Sequence, residues 1–304
     1  MIFALWVVAF VWGACWGSFL NVVIHRVPRD ESVVSPGSRC GACGAAIRPW
    51  HNIPIVSYLA LRGRCADCGA RFSPRYMLVE AACGVLALVL FRGLVDPTDP
   101  DALLPGLALW GYWQIFVYAL VALTFIDLEH TLLPWSITLP TTAVGLIGAF
   151  ALPSLEPWSH VWGLAAGVLF FGFIYGLAWL MFKREALGLG DVVIAGMLGA
   201  WVGWQAMPFV VLAACTQGLL AAGIAKLYTV VTGKQNALTL TTAELDARFD
   251  EVDEHADLPE HTAIPFGPFL ALGGLEALLF GTSAFWAGVD AVVAPLLRAL
   301  NAGG

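Results

Sequence analysis

Residues 188–199 read GLGDVVIAGMLG, a run in which one aspartate, Asp191, stands among apolar residues and glycines. A carboxylate within a bilayer costs about 2.5–3.5 kcal/mol on insertion scales, so an acid in such a run marks a functional site unless something else explains it. Gly188 and Gly190 leave the backbone beside that acid free to bend and to be approached closely. The competing explanation is local, because an aspartate at a helix start caps open backbone N–H groups and suits the positive end of the helix dipole. Taken alone, the twelve residues support both readings, and the surrounding chain has to decide.

The 304-residue chain is 59% hydrophobic and 12% charged, with mean hydropathy +0.79. Soluble domains carry about 25% charged residues, so the expected class is an all-α polytopic membrane protein in contact with membrane lipids. The net charge of −7 comes from acids gathered at 96–101 and 244–260. No basic surface of the kind that nucleic acid requires is evident, so a nucleic-acid partner is not expected. The N-terminal MIFALWVVAFVWGACWGSFLNVVIHRV is too long for a cleaved signal peptide and lacks a basic start. It is expected to stay as the first membrane helix, residues 1–25.

Apolar runs long enough to span fall at about 2–24, 77–95, 103–126, 136–152, 159–182, 190–206, 208–231 and 266–283. They predict about eight transmembrane helices, of which 190–206 is among the shortest. Lysine and arginine set the orientation. If the loop 26–75 is cytoplasmic, alternation makes 127–135, 183–189 and 232–263 cytoplasmic too. Of the 15 basic residues, only Arg92 and Arg298 then fall outside those regions and their borders. Both termini are expected on the outer side. The loop 232–263 reads as a solvated acidic connector. The tail 284–304 reads as an amphipathic segment that lies on the outer surface or extends the last helix.

The first cytoplasmic loop, 26–76, holds Cys40-Gly-Ala-Cys43 and Cys65-Ala-Asp-Cys68, with 21 residues between the pairs. Two such pairs suit tetrahedral thiolate coordination of Zn2+, and a reducing compartment argues against disulfides. Gly44 and Gly69 follow the two pairs and ease the turn each requires. Four thiolates leave no open coordination position, so the expected zinc is structural. Cys15, Cys83 and Cys215 fall in apolar runs and read as packing residues.

The third run ends TFIDLEHTLLP, residues 124–134. Asp127 closes a helix running inward and Asp191 opens one running outward, so the topology sets both acids at a similar depth on one face. Two carboxylates in a partly dry site cannot both ionise readily, so they can share a proton. One then activates water while the other protonates a leaving amine, which is the chemistry of an aspartic protease. A membrane-edge acid is the plainer account of Asp127. However, acids oppose the dipole at a helix C-terminus, so capping does not explain it.

Together with GSFLNVVIHRVP (17–28), HNIPIVSYLALRGRC (51–65), RYMLVE (75–80), FIDLEHTLLP (125–134), GLGDVV (188–193) and IPFGPFLALGG (264–274), the chain resembles the bacterial prepilin peptidases. These are the type IV leader peptidases of the GxGD class of intramembrane aspartyl proteases, and the likeness runs from about residue 10 to residue 283. The resemblance implies that Asp127 and Asp191 are catalytic and that 77–283 is the peptidase core. It also implies cleavage of the basic leader of prepilins or pseudopilins at the cytoplasmic face of the bacterial inner membrane. Many members then methylate the new N-terminus with S-adenosylmethionine, an activity associated with the cysteine loop. The chain departs from the family at His51, Trp135 and Val193, where acid or asparagine, aspartate and lysine are usual.

Other polar residues in apolar surroundings leave alternatives open. Glu80, in the RYMLVE motif, reads either as a group that binds the methyl donor or amine, or as an interfacial salt-bridge partner of Arg75 or a neighbouring arginine. Asn21 and His25, four apart, share a helix face. Glu276 lies in the last run without a motif, facing a partner helix or a polar cavity. A methyltransferase without peptidase activity and a proton-coupled transporter using Asp127, Asp191 and Glu276 are the rival functions.

Overall fold

With no water to satisfy it, a backbone in hydrocarbon must bond within its own segment, so the apolar runs fold as helices. The computed structural model describes residues 2–182, 188–232 and 265–290. Its longer helices are α1 (Ile2–Arg26), α3 (Arg75–Leu94), α4 (Pro100–His130), α5 (Trp135–Ala151), α6 (Pro157–Phe182), α7 (Leu189–Val202), α8 (Met207–Thr232) and α9 (Gly267–Phe280). A five-residue α2 (Val56–Ala60) lies in the cysteine loop, and α10 (Ser283–Asp290) follows α9. Among the described residues the β pairing is confined to two isolated bridges, Arg39–Ala46 and Arg64–Arg71. Lys183, Arg184, the acidic loop and the tail beyond Asp290 lie outside the described residues.

Five helices (α1, α3, α4, α6 and α8) are long and apolar enough to cross a bilayer. The pair α9 and α10 qualifies as a sixth only jointly, across a bend of 93°. The remaining two of the eight predicted runs, α5 and α7, form shorter apolar helices. The fourteen residues of α7 reach about 21 Å at 1.5 Å per residue, short of the roughly 30 Å hydrocarbon core. Every residue from Ile194 to Trp201 is buried, because α5, α6, α8 and α9 all pack around this helix. A helix apolar on every side is one enclosed by protein.

Two kinds of contact hold the bundle around α7. Against α6, Gly163 faces Gly199 so closely that a Cβ on either would overlap the other's backbone. Small residues of this kind supply the close packing that replaces the hydrophobic effect between helices in lipid. Against α4, the Trp201 ring stacks on Tyr112 at 4.3 Å and Phe116 at 5.0 Å. Its indole N–H donates to the Thr141 carbonyl of α5 at 2.8 Å.

Three sequence readings change here. Cys83 is buried, but Cys15 and Cys215 are exposed on the bundle surface, so packing accounts for only one of the three. Glu276 accepts a 2.8 Å hydrogen bond from Gln217, which joins α9 to α8 and selects the partner-helix reading. The tail as far as Asp290 turns away from α9 after Gly281, at φ 68°, rather than extending it. Trp286 then donates to the Gln205 carbonyl at 3.0 Å.

Candidate active site

Asp127 sits in the last turn of α4 and is 5% exposed. The helix stops three residues later, where Thr131 adopts a left-handed conformation (φ 50°) and its N–H closes onto the Asp127 carbonyl at 2.8 Å. Residues 131–134 then reverse the chain into α5 and drive the buried Leu133 inward. Leu133 fills space that two glycines vacate. A Cβ on Gly190 would lie 3.0 Å from the Leu133 Cβ, and one on Gly267 would lie 3.2 Å from its Cδ1. The second glycine of the GLGD motif therefore serves the approach of the α4–α5 connection.

Asp191 is the third residue of α7, one turn inside the N-cap residue Gly188. Its own N–H donates to the Gly188 carbonyl at 3.0 Å, and its half-buried carboxylate accepts from the Gly188 amide. The capping explanation thus holds in altered form. Asp191 reaches back to the cap, as the acid of a capping box does, and that bond also fixes its rotamer. The carboxylate lies within electrostatic reach of Asp127, so the chain brings together the two acids singled out in its sequence.

The third wall is α9. The Gly267 amide donates to the Asp127 carboxylate, and a Cβ at this position would collide with Asp127 Oδ2. In the sequence, IPFGPFLALGG entered only as a motif of the resemblance, and this contact was not anticipated. The usable signal was the placement of a glycine between Phe266 and Pro268 at the start of a helix.

The polar groups around this centre tie it to the cysteine loop. Glu129, two residues beyond Asp127, forms an ion pair with Arg75 at the start of α3. The expected Arg75–Glu80 alternative is therefore not formed. Glu80 instead accepts from the Ile55 N–H at 2.7 Å and bonds the Ser18 hydroxyl, fastening the loop to α1 and α3.

Within the loop, the two CxxC segments fold identically. The Cys40 N–H donates to Ala45 at 2.9 Å and the Gly44 N–H returns to Cys40 at 2.8 Å; Cys65, Ala70 and Gly69 repeat the pattern at 2.8 and 3.0 Å. Gly44 and Gly69 take φ of 71° and 74°, the left-handed turn the sequence anticipated. All four Sγ atoms lie within 4.8 Å of one another, with Cys40 and Cys68 at 3.9 Å. A tetrahedral zinc site with 2.3 Å bonds has sulfur–sulfur edges of about 3.8 Å, so the cluster fits a metal. Backbone amides of Cys43 and Ala42 draw the Cys40 thiol down to about 7. Cys68 is pushed up to about 12: the Ala70 amide favours its thiolate, but bonding to Cys43, burial and the other two thiols outweigh it. Four thiolates this close need a cation among them.

Residues 11–93 match the bacterial peptidase A24 N-terminal domain, and residues 114–223 match the type IV leader peptidase family. The chain is 41% identical to the prepilin leader peptidase/N-methyltransferase of Myxococcus xanthus, over 90% of its own length and 89% of the relative's. It is 36% identical to the protein of that name from Stutzerimonas stutzeri, over 90% of each chain, and 34% identical to that of Pseudomonas aeruginosa, over 87% of each. No solved structure matches the chain. The matched segments carry the paired cysteines and both acids, and with identity of this level across nine-tenths of its length the chain belongs to the type IV leader peptidase family.

Proposed function

We propose that this chain is a membrane-embedded aspartyl endopeptidase that removes the leader of type IV prepilins or pseudopilins and N-methylates the residue thereby exposed. The peptidase and methyltransferase activities follow the names of its relatives. The observation that carries the residue assignment is the meeting of Asp127 and Asp191 at the ends of α4 and α7. Neither acid is ion-paired among the described residues, where the ion pair is Arg75–Glu129. This agrees with Val193, which stands where the resemblance implies a lysine.

In this reading the two carboxylates share one proton. The ionised member takes a proton from water as the water oxygen attacks the scissile carbonyl. The protonated member gives its proton to the leaving nitrogen as the C–N bond breaks. The Gly267 and Gly188 amides hold the two carboxylates in orientation, so little rearrangement is needed during the step. A substrate whose apolar helix lies in the bilayer reaches the acids from the side, with its basic leader in the cytoplasm. That placement rests on the lysine and arginine distribution, which sets both termini outside the cytoplasm of an inner-membrane protein.

Cys40, Cys43, Cys65 and Cys68 would hold a structural Zn2+, which fixes the fold of the loop. S-adenosylmethionine supplies the methyl group. Cleavage of a pilin-like precursor by purified full-length protein, with and without S-adenosylmethionine, tests the assignment. Asp127→Asn and Asp191→Asn should each abolish cleavage while a precleaved substrate is still methylated. Full cleavage by either variant overturns it.

A further inference from the structure

Between the two cysteine pairs the loop turns polar side chains inward and apolar ones out. Ser57 is buried, and its hydroxyl donates to the Trp50 carbonyl and accepts from the Ile53 N–H, both at 3.0 Å. The Tyr58 hydroxyl donates to the Phe72 carbonyl at 3.4 Å. The Ile55, Leu59 and Leu61 amides are bonded as well, the first of them to Glu80. In contrast, Trp50, Ile53, Val56 and Leu59 are 61, 48, 59 and 61% exposed. Clustered exposed apolar side chains mark contact with a partner or a membrane. Arg48 and Arg62, both exposed, bracket the stretch.

The height of this segment is a second observation. Ile55 is fastened to Glu80, the sixth residue of α3 and about 7.5 Å along it. The twenty residues of α3 reach about 30 Å, only the thickness of the hydrocarbon core, so Glu80 stands within the core. The first helix agrees. A Cβ on Gly17 would lie 2.7 Å from the Glu80 Cα, so the two residues share one level. Gly17 is about 13 Å from the Arg26 end of a helix about 37 Å long. Even with all of its excess length projecting on the loop side, Gly17 lies about 6 Å inside the core. The Glu80 side chain leans back toward the start of α3, which brings Ile55 to the core boundary. Beside it, a cavity of about 380 Å3 is lined by Cys15, Phe19 and Val22 of α1 and by Val34, Asn52 and Pro54 of the loop. The loop therefore runs alongside the spanning part of α1. A surface exposed at that height meets lipid.

We propose that residues 48–62 are an interfacial anchor, seated in the lipid leaflet on the loop's side of the membrane. Ile53, Val56 and Leu59 enter the acyl region, and Trp50 lies at the headgroup level, where indole rings concentrate. Arg48 and Arg62 meet the phosphates of anionic lipid. Charge supports that occupant, since residues 26–75 carry eight arginines against the three acids Asp30, Glu31 and Asp67. So do the internal bonds of the segment, because backbone groups that approach hydrocarbon need partners within the protein. The anchor holds the flanking cysteine turns against the membrane surface, and it is independent of the chemistry at either active centre.

The test places the photoreactive p-benzoylphenylalanine at Leu59, and separately at Val56, in full-length protein. The vesicles are phosphatidylethanolamine with increasing shares of phosphatidylglycerol, and adducts are identified by mass spectrometry after illumination. Each position should give phospholipid adducts about as often as Leu219→p-benzoylphenylalanine, a site 75% exposed on α8. The yield should rise with the share of phosphatidylglycerol. Adding Arg48→Ala with Arg62→Ala should lower it about fivefold or more in the anionic vesicles and flatten that rise. Melting temperature reports whether each variant is folded, and if the Leu59 variant is not, the Val56 position decides. Folded protein without lipid adducts at these positions would place the segment in water and overturn the proposal. Adducts mainly to a second copy, or to a pilin precursor when one is added, would make the face a protein-docking surface and overturn it equally. A yield indifferent to phosphatidylglycerol in the parent would remove the arginine contacts, and with them the anchor as stated.

Discussion

The acid site and the cysteine loop are built in opposite ways. The loop uses two short hairpin turns, each closed by bonds spanning four or five residues, and repeats one pattern twice. Its four cysteines come from 29 consecutive positions, 40–68, and a bound metal would supply the cohesion that so small a segment lacks. The acid site draws on α4, α7 and α9, whose contributing residues span positions 127–267. It owes its shape to helix packing, and its polar contacts are backbone amides at helix starts. A local site can be lost and regained with its metal, whereas a distributed one fails when a single atom intrudes between helices.

The sharpest test of that contrast exchanges the acids. Asp127→Asn or Asp191→Asn should lower leader cleavage about 10³-fold or more, since each variant removes a group that must give or take a proton. Zinc content, measured by atomic absorption, should stay at the parent level, because the loop shares no ligand with the site. Loss of zinc in either variant would show that the regions are not separately built.

Next in size is an added methyl group. Gly267→Ala places a Cβ against Asp127 Oδ2, so either the carboxylate or α9 must shift. A misplacement near 1 Å should lower cleavage about 10²-fold, while methylation of a precleaved peptide is retained. Gly44→Ala supplies the comparison within the loop: no atom lies within 4 Å of its Cβ, and only the positive φ opposes the change. Its effect on cleavage should be far smaller.

Smaller again on cleavage is removal of the metal. Cys40→Ser with Cys65→Ser takes out the two buried ligands and should eliminate bound zinc and methylation together. Cleavage should fall less than in Gly267→Ala, with helical circular dichroism preserved. Equal losses of cleavage in the two variants would make the loop part of the peptidase.

The same contrast explains what could be read from the chain. The cysteine spacing carries its geometry in the sequence, so both knuckles, their glycines and the four-sulfur cluster were legible. The acids were legible through charge in an apolar run and through topology, which brought Asp127 beside Asp191. The Gly267 contact was not, because a backbone amide has no residue-type signature and its partner lies 140 positions away. Glu276 was likewise opaque until Gln217, 59 positions away, supplied its bond. The shortness of α7 was legible in run length, but its enclosure by the surrounding helices is a property of the assembled bundle that the run does not encode.

The smallest expected effect concerns the ion pair that, among the described residues, crosses between the two regions. Arg75 is the first residue of α3, and Glu129 is two residues past Asp127, with side-chain exposures of 14% and 37%. Exposed pairs contribute about 0.2–1 kcal/mol, so Glu129→Gln should change cleavage by no more than about fivefold. If the pair serves only to tether α3 to α4, Arg75→Gln should act to the same extent, and the double variant should be no worse than either single one. Glu129 is the more exposed partner, so the defect should shrink somewhat at high salt, where the parent's own attraction is partly screened. A Glu129→Gln loss approaching that of Asp127→Asn would instead place Glu129 among the groups that handle the proton, and the boundary between the two regions would have to be redrawn around it.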